Sequence, residues 1–218
     1  MKWRFGKSQY MSITIFSIII LILSVIGHEL AHGYMADSLG DPTARLAGRL
    51  TINPLKHIDL YGSIIVPIIT SFFGFTFGWA KPVPYNPYNL KDKRVGEFLI
   101  AVAGPAMNLF IALVFGTAIR LIMNNYGSSG SPMVGSFVII SSYIVVINIV
   151  LAIFNLIPVP PLDGSKLLFS ILPHQYSRTR IMLETYAPIL ILFVVFFVWQ
   201  VIVPIIPWIF KIMTGVGM

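Results

Sequence analysis

The apolar positions of this 218-residue chain fall in long blocks, not in the one-sided stripes of helices on a soluble core. A membrane-spanning helix needs about 20 predominantly apolar residues. Met11–Ala36, Glu97–Met123 and Met133–Ile157 each meet that length, and Leu183–Phe210 supplies a fourth span. Gly40-Asp41-Pro42 ends the first block, and Pro158, Pro160 and Pro161 end the third. Pro188 falls in the first turns of the last block, where proline is tolerated, while Pro204 and Pro207 predict a bend or a stop. Tyr61–Gly78 is apolar but short, and Gly62, Pro67, Gly74 and Gly78 interrupt it. Lys81–Arg94 reads as a loop, and a short uncharged turn over 124–132 joins the second and third blocks. Arg45–Asn53 alternates loosely and reads two ways, as a small membrane-associated β element or as an interfacial loop.

Composition agrees with the blocks. Hydrophobic residues make up 56% and charged residues 11%, with mean hydropathy +0.84, whereas soluble domains carry about 25% charged residues. The expected fold is an all-α polytopic membrane protein in a single integral-membrane domain over 1–218. It holds a bundle of four full membrane spans, a re-entrant segment and the small β element. There is no cysteine, which excludes disulfides and Cys-ligated metals. The net charge of +7 sits between apolar blocks, so it reads as juxtamembrane charge and not as a nucleic-acid surface. Lys2, Arg4 and Lys7 before the first block imitate a signal peptide. No small-residue cleavage site follows the apolar core, so a retained first span is expected.

The first block contains His28-Glu29-Leu30-Ala31-His32. Ionisable residues inside a span are costly and mark functional sites. The spacing is the H-E-x-x-H of zinc metalloproteases: i and i+4 share a helix face, so two imidazoles reach one metal. Glu29 lies about 100° round the helix from His28 and is free to act as general base. A catalytic zinc takes three protein ligands and keeps one open position. Asp163 is the leading third ligand, because it follows an apolar span through the break Asn155-Leu-Ile-Pro-Val-Pro-Pro-Leu-Asp163-Gly164. Irregular backbone at membrane depth belongs in protein or at a wet cavity. The alternative is that Asp163 caps the following helix. His57 and Asp59 read as outer partners of the metal ligands or as a polar cap on the segment entering Tyr61–Gly78. Asn108 and Asn148, inside spans, need partners.

HELAH in a first span with NLIPVPPLDG after a later one resembles the site-2 protease family of intramembrane zinc metalloproteases. Gly48–Asp59, Gly78–Pro84 and Ala103–Asn108 resemble its compact bacterial and archaeal members, in which no PDZ or CBS domain is expected, and the likeness covers roughly residues 20–175. The resemblance implies that His28, His32 and Asp163 bind one zinc ion and that Glu29 activates water. It implies that Asn155 holds substrate backbone. It also implies that the segment with Gly48 and Arg49 is an element able to pair with an unfolded substrate strand. The substrate it implies is a membrane protein with a transmembrane helix, met in the lipid bilayer and selected by spans, loops or a separate adaptor. A non-cleaving metal-binding scaffold and a metal or proton transporter would use the same ligands. The intact Glu29 argues against the first. The gathering of polar residues at one depth argues against the second.

Topology tests the arrangement. His28 lies towards the C-terminal end of its helix and Asp163 just beyond the end of its own, so the two helices must run the same way to meet. That requires one apolar block not to cross, and Tyr61–Gly78 is the most interrupted. Residues Arg45, Arg49, Lys56, Lys81, Lys91, Lys93, Arg94, Lys166, Arg178 and Arg180 then share one side, the cytoplasm by the positive-inside rule. The site is expected to open there, and Lys2, Arg4 and Lys7 violate the rule.

Overall fold

Each of the first three long blocks becomes one helix in the computed structural model, which describes residues 7–71, 80–126, 131–172 and 177–218. Helix α1 is Lys7–Ser38. A four-residue turn α2, Thr43–Leu46, follows, and α3, Val66–Ser71, continues from a π-helical turn at Tyr61–Ile65. Helices α4, Lys93–Tyr126, and α5, Pro132–Leu156, form a hairpin. After the proline-rich break come α6, Asp163–Ile171, and α7, Ser177–Thr185. The chain ends with α8, Ala187–Phe193, the π-helical turn Val194–Val198, α9, Trp199–Ile202, and α10, Ile205–Thr214.

Among the described residues three helices are long and apolar enough to cross a membrane: α1, α4 and α5. The expected fourth span differs from a straight helix. Arg178–Thr185 and Ala187–Ile202 pass the same test only as a pair bent by 69°. The break falls at Tyr186, one residue before the proline-containing first turn of α8. Val203 and Pro204 then separate α9 from α10, as Pro204 predicts.

The expected β element is corrected. Among the described residues there is no strand, and Arg45–Asn53 makes no ladder. Its first residues belong to α2, and Gly48 takes a left-handed φ of +61° that turns the chain. A strand needs a neighbour to satisfy its N–H and C=O groups, and loose alternation supplies none. Of the re-entrant candidate, Tyr61–Ser71 is helical, and residues 72–79 lie outside the described residues.

The bundle is apolar outside and polar at one depth inside. Ile18, Ile22, Phe110, Leu113, Ile139, Phe193 and Phe197 are exposed. Ser24, Asn108 and Asn148 are buried between α1, α4 and α5. Apolar side chains facing outward are costly in water and favourable in lipid, and the buried amides bond across helices. Ala112, Ile119, Val145, Ile149, Ile206 and Phe210 form the core where α10 closes on the α4–α5 hairpin. Ala36, Leu90 and Ile100 pack where the end of α1 meets the start of α4. Helices α1 and α4 are therefore antiparallel, and the connecting segment leaves and returns at one end of the bundle.

Candidate metal centre

The H-E-x-x-H face of α1 looks onto α4 at Gly104. A Cβ added there would overlap both imidazoles, so only glycine lets the α4 backbone approach this closely. From the third side comes Asp163, the first residue of α6. Gly164 lets α6 fold back under α5, since a Cβ there would overlap the carbonyls of Leu156 and Ile157. Arg94, at the start of α4, donates to the carbonyls of Ser170 and Ile171 and ties down the far end of α6.

The result is a closed triangle. His28 Nε2 lies 3.0 Å from Asp163 Oδ2, His32 Nε2 lies 2.9 Å from the same oxygen, and the two Nε2 atoms are 3.0 Å apart. All three side chains are buried. Asp163 does not act as a cap: Leu162 holds the N-cap position, with no side-chain cap bond. The carboxylate turns its other oxygen to Lys166 Nζ at 3.0 Å.

Outer contacts decide which nitrogen faces the centre. His32 Nδ1–H donates to the Ile100 carbonyl at 2.6 Å, so Nε2 carries the lone pair. For His28 the logic runs through three side chains. Asn148 Nδ2 donates to the Ile144 carbonyl and to Ser24 Oγ, both at 2.9 Å. A carbonyl can only accept, so Asn148 Oδ1 is left to accept from Asn108 Nδ2 at 2.8 Å. Asn108 Oδ1 then accepts from His28 Nδ1–H at 2.6 Å. Both imidazoles thus present unprotonated Nε2 atoms to one carboxylate oxygen. Three lone pairs converging within about 3 Å repel one another unless a cation lies between them. His28, His32 and Asp163 form a group able to hold a metal ion, and the N/N/O donor set suits a catalytic zinc with an open fourth position.

Glu29 is half-buried, and its Oε2 accepts from the Val83 N–H at 2.8 Å. The remaining candidates stand apart from this triangle. Asn155 donates to the Leu151 carbonyl at 2.9 Å on the last turns of α5. Gly48 is exposed at its turn. Arg49 is buried and donates from Nη2 to the carbonyls of Lys81 at 2.8 Å and Pro82 at 3.3 Å. Asp59 Oδ1 accepts from Gly62 N–H at 2.7 Å, as a polar cap would, and His57 Nε2 pairs with the Thr51 carbonyl at 2.8 Å. Gly104, Lys166 and Val83 join the site only through the fold, and Asn108 finds its partner in His28. In the sequence they stand as an Asn in an apolar span, a Gly-Pro pair inside a helix, and a Lys three residues after Asp163.

The model of Peptidase family M50 matches residues 16–128 and 122–200. The chain is 36% identical over 192 residues to the Bacillus subtilis protein named "Putative zinc metalloprotease YwhC", covering 86% of this chain and 82% of that one. It is 26% identical over 172 residues to "Putative zinc metalloprotease Rip2" of Mycolicibacterium smegmatis, covering 79% of this chain and 62% of that one. With "Zinc metalloprotease MJ0392" of Methanocaldococcus jannaschii it shares 26% over 167 residues, or 74% and 36% of the two lengths. No solved structure matches it significantly.

Proposed function

The chain belongs to peptidase family M50 and is a zinc metalloendopeptidase, and from that premise we propose that it hydrolyses peptide bonds within or near transmembrane segments of membrane-protein substrates. The carrying observation is the buried convergence of His28, His32 and Asp163 between apolar helices, with Glu29 beside the first ligand. His28, His32 and Asp163 would hold the zinc ion, with Glu29 as the general base.

Zinc held there would make a bound water acidic near neutral pH and would polarise a carbonyl. Glu29 takes the water's proton on the carboxylate oxygen that Val83 does not occupy. It then gives that proton to the leaving amine. Asn108, Asn148 and Ser24 keep His28 in its tautomer, and the Ile100 carbonyl does the same for His32. The outward apolar surface keeps bulk water and soluble proteins away. The substrate helix must unwind locally to expose its peptide bond, and Asn155 holds the freed backbone. Gly48 and Arg49 belong to the segment that frames the site from the membrane surface.

The shared end of α1 and α4 supports a re-entrant path for Tyr61–Gly78, and the basic loops at that end support a site opening to the cytoplasm. Selection of substrate falls to spans, loops or a separate adaptor.

A cleavage assay in liposomes, with a transmembrane substrate, tests the reading. Wild-type protein should cleave, lose activity to a zinc chelator and regain it with zinc. Glu29→Gln should retain zinc and lose cleavage. A variant that cleaves as fast as wild type would remove Glu29 as the base, while zinc binding without any wild-type cleavage would point to a scaffold.

A further inference from the structure

We propose that Arg49 is a positioning residue for Glu29, acting through the single peptide unit between Pro82 and Val83. The carbonyl of that unit accepts from Arg49 Nη2 at 3.3 Å, and its N–H donates to Glu29 Oε2 at 2.8 Å. A peptide group is planar, so holding its oxygen also aims its hydrogen. A guanidinium on the oxygen polarises the group and makes the N–H a better donor to a carboxylate. Arg49 also grips the preceding carbonyl, of Lys81, at 2.8 Å.

The surrounding sequence suits this role. Within Pro82-Val83-Pro84 only Val83 has an N–H to give. The left-handed turn at Gly48 and the bond from Arg49 N–H to the Ala44 carbonyl at 3.0 Å bring the guanidinium inward. Lys81 N–H donates to the His57 carbonyl at 2.9 Å, which anchors the chain just before the Pro82–Val83 peptide. Val83 packs beside Leu50 against Gly33, one turn after Glu29 on α1. Arg49 is 8% exposed, and among the described residues no carboxylate pairs with it. Such a buried cation is costly, and its partners here are the two carbonyls next to the Glu29 donor. The segment around Arg49 thus tightens the site instead of presenting an edge.

The inference rests on Glu29 being the base, so its test has an arm that needs no catalysis. Arg49→Ala, Arg49→Lys and Val83→Pro are compared in the full chain. Arg49→Ala and Val83→Pro should each lower kcat about 10- to 100-fold with KM and zinc content unchanged. Arg49→Lys, which keeps a donor to the carbonyls, should recover part of the loss. The double variant Arg49→Ala/Val83→Pro should fall no further than the worse single, because both act on one bond. Additive losses, or a raised KM with kcat unchanged, would overturn the proposal. Independently of cleavage, hydrogen exchange at the Val83 amide should quicken in Arg49→Ala. Unchanged protection would also overturn it, whereas a wild type that never cleaves would overturn only the functional reading.

Discussion

His28 Nδ1 lies 2.6 Å from Asn108 Oδ1, a bond between helices α1 and α4 across 80 residues of sequence. It fixes which ring nitrogen faces the ligand triangle. Orientation of the amide is inherited from Asn148, which is held by the Ile144 carbonyl and Ser24. Asn108→Ala should therefore weaken zinc binding about 10- to 100-fold, the usual effect of losing a partner behind a ligand. A competition titration against a chromophoric chelator measures it. Affinity equal to wild type would show that His28 orients itself.

Gly104 makes a sharper test, because it contributes space alone. A methyl at this position would overlap both imidazoles. Helix α4 cannot retreat easily, since Ile100 and Asn108 on the same helix bond the two histidines. Gly104→Ala should lose zinc while keeping its helical circular dichroism, at a cost of about 1–3 kcal/mol for overpacking. Full zinc occupancy in that variant would mean that α4 slides more freely than its contacts allow.

Much of this was legible in the sequence, for physical reasons. Hydrophobic length marks α1, α4 and α5, because lipid demands long apolar helices. The i, i+4 histidines and the carboxylate in a proline break point to the three side chains that the fold brings together. What the sequence hides is placement between elements. The tautomer of His28 depends on an amide network spread over three helices. Arg45–Asn53 alternates like a strand yet has no partner to make it one, and Gly48 turns it into a strap. Tyr186, where α7 and α8 bend, carries no proline itself.

Asp41 ties the end of α1 to the loop before α4. It is fully buried, and it accepts from Asn86 N–H at 2.6 Å and Asn89 Nδ2 at 2.7 Å. Burial pushes its carboxyl up, but donors from Thr43, Asn89 and Asn86 outweigh this and hold it below the usual carboxylate range. A depressed folded-state value stabilises the protein above the unfolded value of about 3.9, and that contribution is lost as pH falls through the folded value. Asp41→Asn should cost about 1–3 kcal/mol at pH 7. The gap in thermal stability between wild type and variant, measured in detergent, should hold down to about pH 4 and narrow below it. A gap that stays constant to pH 3 would mean that the charge of Asp41 is irrelevant and only its shape counts.

The cysteine-free chain allows a direct test of how α1 is oriented. Helix α1 ends beside the start of α4, where Ala36 packs on Leu90 and Ile100. The start of α1 at Lys7 therefore belongs at the end of the bundle opposite Lys91. Helix α4 runs from the Lys91 end to Tyr126, and Ser131, at the start of α5, shares the Lys7 end. Single cysteines at positions 7, 91 and 131 can be labelled with a membrane-impermeant maleimide in intact and in opened cells. Lys7→Cys and Ser131→Cys should react from one side and Lys91→Cys from the other, with Lys91→Cys protected in intact cells. If positions 7 and 91 react together, the segment between α1 and α4 crosses the membrane. His28, His32 and Asp163 could then not meet as they do here, because α1 and α4 would have to run parallel for their near ends to lie apart. The antiparallel contacts of His28 with Asn108 and His32 with Ile100 forbid that.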